Sequence, residues 1–246
     1  MRTKKTYIGR SRRSSERNYV KPVIIVLSIL LLVGFLYLGI RIVSVKNSSE
    51  FDMKKKSVYY LYYPLDKSTS ANNNDISLEG SKLRGKIFIV DGEKRVVNVI
   101  NVPDHLFIFS KKLDISSSNP HDFVVLFNEL VGIKADYIYE IVLKNEYLKK
   151  VGVKELDDFV QYYGKRGLKF FDYFTLSSHV STLRPESVIT EASLAKLYYS
   201  LGRFNIQTYD IPTMTSKPIK ITVGDKVFIR LYVDEEKIQE TLKNLK

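Results

Sequence analysis

The spacing of apolar and polar positions divides the chain into three stretches. Residues 1–22 are polar and mostly basic, residues 23–40 (VIIVLSILLLVGFLYLGI) carry no charge, and the remainder alternates short apolar runs with polar breaks. At 1.5 Å per residue the uncharged stretch makes a helix about 27 Å long, enough to span the hydrocarbon of a bilayer. Its apolar residues face every direction, whereas a helix packed on a soluble core is apolar along one stripe. Gly34 and Gly39 are tolerated in lipid, where the backbone must pair within its own segment. A cleaved leader would have a shorter apolar region followed by small residues, but Arg41-Ile42-Val43-Ser44-Val45-Lys46 follows here. The pattern predicts a retained transmembrane helix.

Beyond it the chain reads as a polar linker over 41–56 and one domain over 57–246. Residues 57–63 (SVYYLYY) are dense in β-formers and stop at Pro64, as a strand would. Residues 67–82, rich in Ser, Asn and charge, predict an exposed excursion. Two β-rich runs, 86–90 and 95–102, flank Asp91-Gly92 and predict a hairpin that ends at Pro103. A helix over 122–130 has its start at Asn119 or Pro120 and its stop at Gly132. A strand over 137–143 and two short amphipathic helices over 145–150 and 153–163 follow, with Lys154, Glu155, Asp157 and Asp158 on the outer side. Pro185 opens a helix that runs to Leu201 before Gly202, then come strands over 204–211 and 226–233 and a charged helix over 234–246. This alternation predicts an α/β sandwich with a mixed sheet.

Composition excludes some classes and charge placement excludes others. With 44% hydrophobic and 12% aromatic residues the chain buries a real core, so global disorder is excluded. Much of the formal charge of +12 sits before the apolar run, where Arg2, Lys4, Lys5, Arg10, Arg12, Arg13, Arg17 and Lys21 stand against Glu16. Cations in that position favour a cytoplasmic tail over 1–22 and an extracytoplasmic domain. They suit anionic lipid of the cytoplasmic membrane better than nucleic acid, and no helix-turn-helix pattern accompanies them. The chain has no cysteine, and His105, His121 and His179 are scattered, so no thiolate chemistry and no zinc-ligand spacing is present.

The order of basic tail, single helix and the run LRGKIFIVDGEKRVVNVINVP at 83–103 resembles the LytR-CpsA-Psr family of bacterial cell-envelope proteins. DFVVLFNELVGIKADYIYEIVLKNEYLKKVG at 122–152 is similar to that family's helix, Gly-Ile turn and Tyr-containing strand, and FNIQTYDIP at 204–212 to its late strand and proline. The resemblance covers most of residues 57–246. It implies an α/β/α sandwich with a groove for a polyprenyl-linked sugar phosphate, and transfer of glycopolymer to the cell wall with magnesium at the pyrophosphate.

At the positions that would carry this chemistry the chain departs from the family. Where the family has Arg, a small residue and Asp, this chain has Arg84, Gly85 and Lys86, so an ammonium stands in place of a magnesium-binding carboxylate. Where the family has Pro-Arg-Asp it has Pro103, Asp104 and His105, and of the later arginine-rich segment only His179 and Arg184 remain. Pyrophosphate transfer needs fixed cations for the developing charge and carboxylates for the metal. We therefore expect no catalytic residue and no metal ligand, with magnesium bound only if the family's activity is retained. Arg84, Lys86, His105 and Arg184 are the candidate phosphate-binding residues. A solvated strand edge is the competing account of Arg84 and Lys86, and an ordinary loop that of Asp104 and His105. The aromatic stripes Tyr59, Tyr60, Tyr62, Tyr63 and Phe170, Phe171, Tyr173, Phe174 fit either strand core or the wall of a lipid groove.

Three functions suit this reading. The first is a catalytically degenerate relative of the glycopolymer transferases that binds a polyprenyl-linked glycan or aids envelope assembly. The second is a structural scaffold of the envelope or division machinery, partnered by envelope proteins. The third is a membrane-tethered transcriptional regulator. A deep apolar groove beside Arg84 would favour the first, and a filled core with an exposed apolar patch the second.

Overall fold

The computed structural model describes residues 20–64, 83–116 and 118–245. Residues 1–19 of the basic tail read over 1–22, and the excursion over 67–82, lie outside them. The chain forms two compact units, Met1–Ile40 and Arg41–Lys246.

In the first unit α1 (Val20–Lys46) begins, and its Pro22–Lys46 stretch is long and apolar enough to cross a membrane. Within the apolar run Ser28 Oγ donates to Ile24 O at 2.8 Å, so this hydroxyl is paired inside the helix itself. The helix was expected to end near Ile40 but continues to Lys46, because Arg41-Ile42-Val43-Ser44-Val45 contains no breaker.

In the second unit the segment read as a linker, 41–56, is laid onto the domain. Arg41 Nη1 reaches Glu191 Oε2 at 2.9 Å, Thr190 Oγ1 donates to Glu50, and the Phe51 ring meets Tyr199 edge-on at 5.9 Å. A Cβ on Gly92 would stand 2.2 Å from Met53 O, so only glycine lets these two backbones touch. The segment is held most firmly by Lys196, whose buried Nζ donates to Asp52 O at 2.7 Å, Lys55 O at 2.6 Å and Ser57 Oγ at 2.9 Å. Burial lowers its pKa to about 8, opposed by Asp52 and Asp136.

The sheet begins with β1 (Ser57–Tyr62), β2 (Leu83–Asp91) and β3 (Val96–Pro103). The β2–β3 hairpin forms as expected, but through a longer turn than a two-residue Asp-Gly loop. Asp91 Oδ1 accepts from Lys94 N at 3.0 Å, and the left-handed residue is Arg95 (φ 52°). Two short strands missing from the sequence reading follow, β4 (Leu106–Ile108) and β5 (Leu113–Asp114). Then α2 (Pro120–Val131) starts at its Asn119 cap and stops at left-handed Gly132, as read from sequence, and leads to β6 (Tyr137–Val142). Next come α3 (Asn145–Val151), α4 (Leu156–Arg166), α5 (Asp172–Leu183) and α6 (Glu191–Leu201), then β7 (Asn205–Asp210), β8 (Ile219–Val223), β9 (Lys226–Tyr232) and α7 (Glu235–Thr241).

Two readings are corrected here. Helix α5 was missed because its aromatic start looks like a strand, although Tyr173, Leu176, Val180 and Leu183 are buried at helical spacing. Pro185 does not open a helix. Residues 185–190 run beside β6, where Ser187 Oγ accepts from Val142 N at 2.9 Å and Val188 pairs with Glu140, and α6 begins only where Thr190 caps Ser193 N.

The main sheet has the order β6-β1-β2-β3-β7, with β1–β6 and β3–β7 parallel and the hairpin pairs antiparallel, and a second sheet has the order β5-β4-β9-β8. Alternation along the strands sorts side chains to two faces. Val58, Tyr60, Ile87, Ile89 and Ile100 share one core with Phe123 and Phe127 of α2 and Ile238 of α7. On the other face Tyr59 OH donates to Ser193 O at 2.9 Å in α6, and Phe88 meets Phe159 of α4 at 6.5 Å. The result is the expected mixed α/β fold.

The space between the sheet and the α3–α6 layer is filled by rings. Tyr163 stacks on Tyr198 at 3.8 Å, and Tyr147 OH and Tyr198 OH share a hydrogen bond of 2.6 Å. Burial raises the pKa of Tyr59, Tyr60, Tyr147, Tyr163 and Tyr198, and pushes Tyr62 up to about 12. A phenol whose folded pKa lies above its unfolded value stabilises the fold fully below the unfolded pKa and loses that contribution as pH rises towards the folded one. The melting temperature should therefore fall steeply above pH 10.0, the ordinary tyrosine value. Tyrosinate absorbance from these residues should appear together with loss of helix by circular dichroism, and its appearance in a still-folded protein would contradict the buried cluster.

Candidate functional site

The four candidate phosphate ligands do not converge. A shift of register in β2 between Leu83 and Gly85 turns Arg84 and Lys86 to opposite faces, although two residues apart in a regular strand would share one. Gly85 makes the irregularity feasible, because a Cβ there would stand 2.4 Å from Leu61 O.

Lys86 points into the α4 side and is buried. Its Nζ donates to Asn101 Oδ1 and meets Asp157 Oδ1 at 2.7 Å, while Asn101 Nδ2 donates to Asp210 Oδ1 at 2.6 Å. The ammonium is 4% exposed and its carboxylate partner 65%, so Asp157 lies over Lys86 at the surface. The sequence reading placed Asp157 on the outer side of its helix and offered no signal that this carboxylate reaches a strand residue seventy positions earlier. Lys86 is an internal group of the fold, neither a solvated edge nor an open cation.

Arg84 lies on the opposite face, where its charge acts on the stacked pair Tyr60 and Tyr62, with ring centroids 4.7 Å apart. The carboxylates of Asp104 and Glu140 act on Tyr60 in the opposite sense. Glu140 Oε1 in turn meets His121 Nδ1 at 2.7 Å, His121 being about half exposed in the first turn of α2. This pair, from a helix and a strand nineteen residues apart, has no local sequence signal. His105 sits in the β3–β4 turn at φ 62°, where its carbonyl accepts from Leu231 N at 2.7 Å and so extends the β4–β9 pairing by one bond.

Arg184 follows α5 and donates to Ile189 O at 3.0 Å. It lines an open cleft of about 530 Å³ together with Lys144, Lys150, Phe174, Ser178 and Thr182. Lys150 Nζ donates to Ser178 O and Thr182 Oγ1, each at 2.9 Å, while Lys144 pairs with Glu186 at 2.7 Å. Burial, and then the charge of Lys150, lower the pKa of His179 beneath the cleft. The two lysines could be found in sequence only once α5 was known to lie beside α3. A second open cleft, near Val160 and Phe204, includes none of the four candidates.

Magnesium does not fit the position that the resemblance assigns to it. Lys86 brings a positive charge there, and among the described residues no group of three or more His, Asp or Glu side chains comes together. Of the first aromatic stripe Tyr59, Tyr60 and Tyr62 are core and Tyr63, just after β1, is partly buried, while the second stripe divides as well. Tyr173 is buried, whereas Phe170, Phe171 and Phe174 are exposed.

No family model and no curated protein matches this chain. Solved structures do. The transcriptional regulator yvhJ from Bacillus subtilis is 12% identical, with a TM-score of 0.50 over 78% of this chain and 97% of that one. The Lin1025 protein from Listeria innocua is also 12% identical, with a TM-score of 0.47 over 78% of this chain and 98% of that one. A LytR-CPS2A-psr family protein, YwtF (TagT), solved with bound octaprenyl pyrophosphate lipid, is 10% identical, with a TM-score of 0.40 over 82% and 93% of the two chains. At such identities the likeness is one of fold alone.

Removing one partner of an ion pair costs about 3–5 kcal/mol when the charge left behind is buried, as Lys86 is, and little when the charge left behind is open to water, as Asp157 is. Asp157→Ala should therefore destabilise the domain by about 3 kcal/mol, discounted from the upper end because Asp157 is well exposed. Lys86→Met should cost less than about 1.5 kcal/mol, and Asp157→Ala in that background should cost nothing further. Urea denaturation of the four proteins checks the order, and equal costs for the two single variants would contradict the buried pair.

Proposed function

We propose that the protein is a membrane-anchored cell-envelope protein, with its tail in the cytoplasm and its LytR-CpsA-Psr-like domain outside, that has lost glycopolymer transfer and works by binding. One observation carries the proposal. Lys86, which the resemblance sets in place of a metal-binding carboxylate, is buried and satisfied by Asn101 and Asp157. A substrate could use that position only by breaking the pair and leaving a buried charge unmatched.

The ligand class that the resemblance implies is a polyprenyl-linked glycan phosphate. Arg84 is the residue we assign to its phosphate, since a guanidinium grips phosphate bidentately and stays charged. It is only partly buried, beside Tyr62. The filled aromatic layer and the exposed phenylalanines favour a second reading, a scaffold that meets its partners through its surface. The word regulator in the name of the Bacillus subtilis structure describes that protein, and the residues of this domain add no nucleic-acid chemistry to it.

The full chain in membrane vesicles, given magnesium, a polyprenyl-pyrophosphate-linked glycan and a cell-wall acceptor, should transfer no glycan. In the same vesicles Arg84→Ala should weaken retention of a short polyprenyl phosphate roughly tenfold, the scale of one charge-assisted hydrogen bond. Turnover by the parent would refute the loss of activity. Retention that does not depend on Arg84 would leave the scaffold reading in place.

A further inference from the structure

The surface of α5 changes character along its length. At its start Phe170, Phe171 and Phe174 are 48%, 65% and 43% exposed, with the first two rings edge-on at 5.4 Å and the exposed Lys165 and Lys169 nearby in the chain. Exposed aromatic rings grouped in this way mark a surface that something covers. Further along, Ser178 and Thr182 join Lys150 and Arg184 in the cleft, and Phe174 lines that cleft too, so the aromatic and cationic parts are continuous.

The positive charge of the cleft is partly spent. Lys144 is taken up by Glu186, and the carboxylate-bearing Glu146 also lines the cleft. Lys150 and Arg184 form no ion pair among the described residues, and their contacts are to neutral oxygens. Cations and hydroxyls side by side suit phosphate oxygens, while phenylalanine flanked by lysine suits the boundary between headgroups and acyl chains. A bilayer combines both chemistries in one layer. It would also be the nearest large surface to the domain, because α1 of the same chain is long and apolar enough to enter it, which raises its effective concentration far above that of a free partner.

We propose that the exposed face of α5 docks on the phospholipid headgroup layer, with Phe170, Phe171 and Phe174 in the interface and Lys150 and Arg184 against lipid phosphates. The proposal rests on the membrane-anchored reading of α1. It gives the domain a preferred resting surface on the bilayer, in addition to its tether.

The chain has no tryptophan, so Phe171→Trp creates a single fluorophore in the patch. The full chain carrying it is placed in nanodiscs that contain phosphatidylglycerol, with ordinary or brominated acyl chains. Docking predicts blue-shifted emission that the brominated lipid quenches, and loss of that quenching when Lys150→Glu and Arg184→Glu are added. A Val223→Trp reporter on the β8–β9 hairpin should stay red-shifted and unquenched. Equal emission in the two lipids from protein that co-elutes with the discs would overturn the docking and leave the anchor standing. Blue-shifted but unquenched emission would mean that protein covers the patch, and would overturn it as well. Quenching that survives both charge reversals, or that is shared by the Val223→Trp reporter, would refute the specific contact. Failure to co-elute with the discs would refute the membrane-anchored reading itself, and the docking with it.

Discussion

An ammonium removed from water must find oxygen atoms within the protein, and this domain is arranged around two that do. Lys196 is enclosed by Asp52 O, Lys55 O and Ser57 Oγ, which holds the segment after α1 against α6. Lys86 is enclosed by Asn101 and Asp157, which ties the β2–β3 hairpin to the start of α4. Neither lysine could stay charged in a loosened structure without readmitting water. Each joins elements far apart in sequence, one between residues 52–57 and α6 and the other across the layer between sheet and helices.

The same constraint bears on function. Where β2 begins, its two faces differ. On one, the charge that could have faced a substrate is already paired and covered. On the other, Arg84 stands near Tyr60 and Tyr62 with carboxylates close by. Among the described residues tyrosines and phenylalanines fill the space between the sheet and the α3–α6 layer. The proposed binding at Arg84 and the proposed contact through α5 both lie where charge is not taken up by a buried pair.

Most of the architecture could be read from the chain because its signals are local. Asn119 and Gly132 bracket α2, Pro64 follows β1, and the β-rich runs on either side of Asp91-Gly92 do pair. The failures have physical causes. The aromatic run at the start of α5 has high strand propensity, and only burial of Leu176 and Val180 against neighbouring helices decides for helix. Pro185 looked like a helix start, whereas the backbone after it pairs with β6, a partner more than forty residues away. The candidate site was less legible than the fold. Arg84 and Lys86 were identified, yet the register shift that separates them depends on the contact of Gly85 with Leu61, which no spacing reveals. Asp157 with Lys86 and His121 with Glu140 are tertiary pairs, invisible until the layers are assembled.

The most direct measurement is nuclear magnetic resonance of the Lys86 ammonium in the full chain, labelled with nitrogen-15 lysine in nanodiscs and assigned by comparison with Lys86→Met. A charge that is buried and internally paired should give a slowly exchanging ammonium signal, unmoved when octaprenyl pyrophosphate and magnesium are added. A signal that exchanges rapidly with water, or that shifts when the lipid binds, would show that Lys86 is open to ligand and would contradict the account.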